Sequence, residues 1–118
     1  DNGDKTKLEK EMIIAIEPFA TNGEGKVIEG KGSDIFKLLK KKPIRNEHAR
    51  RVIKEIEKYN GLPFAKRWIN VPMKDLAFNM LEREKVIYQY PQLIETTKGL
   101  VSQAEHTVMV GKGILTKL

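Results

Sequence analysis

Residues 13–20 read IIAIEPFA, and the fold turns on how this stretch is read: an unbroken apolar run, Met12 to Ile16, ends on a carboxylate, Glu17, that a proline follows at once. A run without polar alternation, stopped by Pro18, predicts a short strand covered on both faces. Glu17 then sits where the strand stops. A second acid, Glu105 in VSQAEHTVMV (residues 101–110), has the same apolar setting. An ionised carboxylate among apolar neighbours is costly unless it is paired, protonated or bound to a metal. Each acid therefore has two open readings, an ordinary ion pair with one of the 22 lysines and arginines, or a site.

Outward from that strand, TNGEGK (21–26) carries Asn-Gly turn chemistry, and KVIEGKG (26–32) reads as a short strand and a loop. The middle third changes period. Ser33 is placed to cap a helix with Ile35, Leu38 and Leu39 on one face, ending at lysines 40–42 before Pro43. Asn46 caps a second helix, with Ala49, Val52, Ile53 and Ile56 at i, i+3, i+4, i+7, that stops near Asn60-Gly61. LPFAKRW (62–68) is a packed connector or short helix, and a third helix after Pro72 presents Met73, Leu76, Met80 and Leu81. VIYQYP (86–91) and GLVSQAEHTVMV (99–110) then read as strands joined by a polar segment, with GILTKL (113–118) as a last strand. Strand, helices, strands is an α+β order. Along 101–109, alternation puts Val101, Gln103, Glu105, Thr107 and Met109 on one face and Ser102, Ala104, His106 and Val108 on the other.

The 118 residues fit one small domain or a piece of a larger protein, and the start on Asp1 rather than Met is the mark expected of a processed chain or such a piece. The absence of cysteine excludes a disulfide scaffold, a thiolate metal site and a cysteine nucleophile. No apolar stretch has the length of a membrane span, and the polar lead-in lacks a signal peptide's layout, so a cytoplasmic protein without membrane contact is expected. The formal net charge of +6 fits either a lysine-rich solvated surface or contact with nucleic acid.

Four words in this order, IAIEPFAT, LPFAKRW, YP and SQAEHTV, resemble the C-terminal part of type II methionine aminopeptidases of the archaeal kind, over nearly the whole chain. The resemblance implies a pita-bread fold of antiparallel strands interrupted by a winged-helix-like helical insert. Residues 1–32 would be a strand and loop of the catalytic domain, 33–90 the insert, and 91–118 the closing strands. It implies two divalent metal ions, Co, Mn, Fe or Zn, with Glu17 on one and Glu105 bridging both. Tyr90 matches a tyrosine lining the methionine side-chain pocket, although a tyrosine packed at a strand end reads the same way. Gln103 is expected to support the metal-binding glutamates. The two aspartates and the histidine that complete the family's site belong to its N-terminal portion, and neither His48 nor His106 replaces them. The isolated chain is thus expected to be inactive, with the N-terminal half of the enzyme as partner, a nascent peptide beginning with methionine as substrate, and the ribosome nearby. Two other readings stay open: a non-catalytic relative of the same fold, and a winged-helix module using Lys37, Lys40, Lys41, Lys42, Arg45, Arg50 and Arg51 on ribosome or nucleic acid.

Overall fold

The computed structural model describes residues 3–117. Its strands are β1 (Ile13–Ile16), β2 (Phe19–Thr21), β3 (Val27–Leu38), β4 (Phe64–Ala65), β5 (Ile87–Glu95), β6 (Val101–Gln103), β7 (His106–Met109) and β8 (Gly113–Ile114), and its α-helices are α1 (Glu47–Ile56) and α2 (Lys74–Arg83). They form two compact units, residues up to 28 together with those from 95 onward, and residues 29–94.

The 29–94 unit holds the apolar core. Asn46 caps α1 by accepting a hydrogen bond from the Ala49 amide at 2.9 Å, and the spacing of Ala49, Val52 and Ile56 turns one face of that helix inward. From α2 come Ala77, Phe78 and Leu81. Phe36 of β3 meets Phe78 edge-on, with ring centres 4.9 Å apart at 81°, and Phe64 of β4 packs on both. The sheet order is β4-β3-β5. LPFAKRW supplies β4 and a single 3-10 turn, Lys66–Trp68.

Four expectations change. The segment with Ile35, Leu38 and Leu39 is not a helix; Ile35 and Leu38 belong to the long strand β3, in which Phe36 is buried and Leu38 packs on the core, while Leu39, just past its end, is exposed. Three apolar residues at helical spacing were outweighed by a period of two centred on Phe36. Glycines 30 and 32 let β5 lie close: a Cβ on Gly30 would fall 2.3 Å from Ile94 Cδ1, and one on Gly32 2.2 Å from Gln89 Oε1. The Ser33 hydroxyl accepts from the Ile35 amide within the strand rather than capping a helix. The helical face after Pro72 is also rotated, with Phe78 and Leu81 buried and Met73 and Leu76 exposed. β5 runs on through Gln92–Glu95, where a polar joining segment was expected. Finally, β1 is not covered: Ile13 and Ile16 are 62% and 46% exposed, on an edge strand of the β1-β7-β8 sheet.

Replacing Phe78 by Ala should destabilise the 29–94 unit by about 3–5 kcal/mol, as expected for an aromatic side chain removed from a packed core. Asn46→Ala should cost about 1 kcal/mol through the lost cap. Urea denaturation followed by Trp68 fluorescence measures both.

Candidate functional site

The two acids lie in the other unit, where β1 pairs antiparallel with β7 (Ile13↔Met109 to Ile16↔His106) and β2 with β6 (Phe19↔Gln103 to Thr21↔Val101). The two ladders share one register, so the two-residue gap between them sets Glu17 opposite Glu105 and Pro18 opposite Ala104. Proline explains the gap. It has no N–H to give to the strand facing it, and only half of that exchange survives, the Ala104 amide donating to Pro18 O at 3.2 Å. Because the Pro18–Ala104 pair is of the hydrogen-bonded kind, its neighbour Glu17–Glu105 is of the other kind, in which facing Cα atoms lie about 4.5 Å apart and side chains are closest. The run read as one strand over 99–110 is thus two, broken at Ala104-Glu105.

Both glutamates are exposed, where the sequence led us to expect acids set among apolar neighbours. Among the described residues neither is ion-paired with a lysine or arginine. Like charges directly opposite on paired strands repel. Gln103, diagonally across from Glu17, donates its side-chain amide to Glu17 Oε2 at 3.2 Å. His106 is engaged elsewhere, its Nδ1 lying 3.3 Å from Thr116 Oγ1. Two facing carboxylates are a fitting donor set for a hard divalent cation, whose charge would turn their repulsion into shared attraction. Among the described residues no third His, Cys, Asp or Glu joins them in a cluster. Tyr90 belongs to the 29–94 unit, where its half-buried ring packs edge-on against Tyr88 at 5.1 Å.

One residue of this unit escaped the sequence reading. Glu95, 3% exposed, is the only buried residue with a polar side chain among those described. Its Oε2 accepts from the Thr97 amide and hydroxyl, each at 2.7 Å, and from the Gly99 amide at 3.0 Å, while Oε1 accepts from the Glu24 amide at 2.7 Å. The Thr97 hydroxyl foremost, then the Gly99 amide, hold its carboxyl down to about 2 against the opposing effect of burial. A signal existed in the sequence, an acid followed by Thr at the second position and Gly at the fourth, with a second glycine in the loop facing it.

Comparison with known proteins places the chain. It is 50% identical over 107 residues to a methionine aminopeptidase of Archaeoglobus fulgidus, covering 90% of this chain, and 48% identical over 114 residues to one from Thermococcus onnurineus, covering 92%. A third, from Methanocaldococcus jannaschii, is 46% identical over 110 residues, covering 89%. The chain is related to the archaeal methionine aminopeptidases. It spans 36 to 39% of the length of these relatives, consistent with the C-terminal part that its motifs resemble. No family model matches it. Among solved structures, that of a thermophilic Arx1 superimposes with a TM-score of 0.74 at 17% identity, covering 92% of this chain and 32% of that one. The relationship to methionine aminopeptidases is therefore carried by sequence, and the likeness to Arx1 by fold alone.

The Glu95 carboxyl is held below its ordinary value of 4.5, so its contribution to stability is fully present above that pH and is lost as pH falls from 4.5 towards about 2. The stability difference between wild type and Glu95→Gln, measured by urea denaturation across that range, should be constant at neutral pH and shrink on acidification.

Proposed function

We propose that this chain is the C-terminal part of a methionine aminopeptidase, a metallo-exopeptidase that removes the initiator methionine from nascent proteins. The observation that carries the reading is the register that faces Glu17 with Glu105, two carboxylates without a basic partner among the described residues, in a chain half identical to such an enzyme over 107 residues. Glu17 and Glu105 would hold divalent ions, Co, Mn, Fe or Zn, with the remaining ligands supplied by the N-terminal half of the enzyme. When bound, these ions supply Lewis-acid polarisation of the scissile carbonyl and an acidified water.

The chain's own groups do the rest. Gln103 orients Glu17 through its amide hydrogen bond to Oε2. Tyr90 lines the pocket for the methionine side chain. The fold reading that goes with this is a pita-bread catalytic domain, built from residues 1–32 and 91–118, with residues 33–90 as a winged-helix-like insert; the likeness to the Arx1 structure supports the fold.

The partner reading has its own support. Ile13, Ile16, Phe19, Leu100, Val101 and Ile114 are exposed on or beside short strands, apolar side chains of the kind that the rest of a larger fold covers. The N-terminal half is that partner, the isolated chain is inactive without it, and the whole enzyme works in the cytoplasm near the ribosome. No helix among the described residues is long and apolar enough to cross a membrane. Of the seven basic residues behind the competing binding-module reading, Lys41, Lys42 and Arg51 are paired with Glu57, Glu84 and Glu47, and Lys37, Lys40, Arg45 and Arg50 have no ion pair among the described residues.

Co-expressed with the N-terminal portion of an archaeal relative and supplied with Mn or Co, the chain should release methionine from a methionyl peptide. Glu105→Ala should reduce the rate to background, and Gln103→Ala should lower it about 10–100-fold, the usual cost of losing a residue that orients a metal ligand. A folded complex without activity, together with steeply salt-dependent RNA binding, would instead establish the binding-module reading.

A further inference from the structure

In the unit that carries Glu17 and Glu105, every described apolar residue is at least partly exposed; the fully buried apolar residues all lie between Phe36 and Ile87, in the other unit. The three residues of β2 and the three of β6 are all exposed. A strand pair without a buried face has little to specify its register, because no core penalises a one-residue slip. Yet the opposition of Glu17 and Glu105 requires that register. Something other than apolar burial must set it at the far end of the β2–β6 ladder.

The Glu95 carboxylate stands at that end. Its acceptor bonds reach two separate segments, Glu24 on one side and Thr97 and Gly99 on the other, and so tie the chain leaving β2 to the chain entering β6. Between this tie and the first ladder rung lie two more cross-connections: the Thr21 hydroxyl donates to Leu100 O at 2.8 Å, and the Leu100 amide donates to Asn22 Oδ1 at 2.8 Å, while the Gly23 amide donates to the Thr21 hydroxyl at 3.0 Å within its own turn. Two glycines make the close approach feasible. A Cβ on Gly99 would fall 2.7 Å from Gly23 N and 2.8 Å from Gly23 Cα, and a Cβ on Gly23 would fall 2.3 Å from the Glu95 carboxyl carbon. The Gly99 contact is with backbone, which has no room to shift, and the Gly23 contact is with the carboxyl group itself. The cradle of three amides and a hydroxyl is thus built around one anion, supplied by the chain itself.

We propose that Glu95 is a positioning residue: its buried carboxylate locks the β2–β6 register and thereby holds Glu17 opposite Glu105. It touches neither acid and acts through Thr21, Asn22, Leu100 and the three-rung ladder. The register claim stands on this geometry; only its consequence, that Glu95 positions metal ligands, rests on the aminopeptidase reading above.

Register is read directly by NMR on the 118-residue chain, because a facing pair of the non-hydrogen-bonded kind gives a strong Hα–Hα contact. Wild type should show that contact between Glu17 and Glu105. In Glu95→Ala it should vanish, with the Ala104 and Leu100 amides exchanging about tenfold faster or more, while the spectrum of α1 and α2 stays native. Added formate, which fits the vacated cradle, should restore the contact; a merely space-filling role for Glu95 would not respond to an anion. Retention of the contact in Glu95→Ala, or failure of formate to restore it while α1 and α2 remain native, overturns the proposal. Should Glu95→Ala unfold the whole chain, Thr97→Val removes one donor only: faster exchange of the Ala104 amide supports the proposal, and an unchanged rate overturns it. None of these readouts uses catalysis, so their failure is distinct from failure of the aminopeptidase reading.

Discussion

The unit bearing the two facing acids is organised around a buried anion. Among the described residues no lysine or arginine pairs with Glu95; three backbone amides and the Thr97 hydroxyl, with the Thr96 hydroxyl farther off at 3.5 Å, converge on its two oxygens instead. Charge-assisted bonds of this kind are stronger and more directional than neutral ones, and a buried carboxylate deprived of them would be left with its full desolvation cost. In a unit with no fully buried apolar side chain among the described residues, that requirement constrains the backbone where packing does little. The two glycines that admit the close approach, Gly23 and Gly99, belong to the same arrangement.

Pro18 converts this constraint into chemistry. A regular strand through residues 13–21 would continue its ladder past position 18; proline removes one donor and opens a two-residue gap without disturbing the register on either side. The gap is where Glu17 and Glu105 meet. Two ladders bracket them, one anchored by half-buried residues of β1 and β7, the other ending in the Glu95 cradle. Two carboxylates facing each other across paired strands are held in register as a donor pair, which a mobile loop would not do.

Much of this was legible in the residues themselves. Asn46 followed by apolar positions at helical spacing specified α1, because cap and periodicity agreed. The motif IAIEPFAT marked Glu17 through the conjunction of an apolar run and a proline, both local signals. Where local signals conflicted, reading failed: Ser33 and the trio Ile35, Leu38 and Leu39 imitate a capped helix, and only the long-range pairing of β3 with β4 and β5 reveals the strand. The break at Ala104-Glu105 was invisible because its cause, Pro18, lies on the opposite strand. Glu95 was overlooked for a related reason. A glutamate before Thr-Thr-Lys-Gly looks solvated until the distant Asn22-Gly23-Glu24 turn closes over it.

The most direct test of the central claim is the position of bound metal in a crystal of this chain complexed with the N-terminal portion of an archaeal methionine aminopeptidase, loaded with Mn and located by anomalous scattering. Two anomalous peaks are expected, with Glu105 oxygens on both and Glu17 on one. A complex in which both ladders are intact and metal binds away from Glu17 and Glu105 would contradict the account.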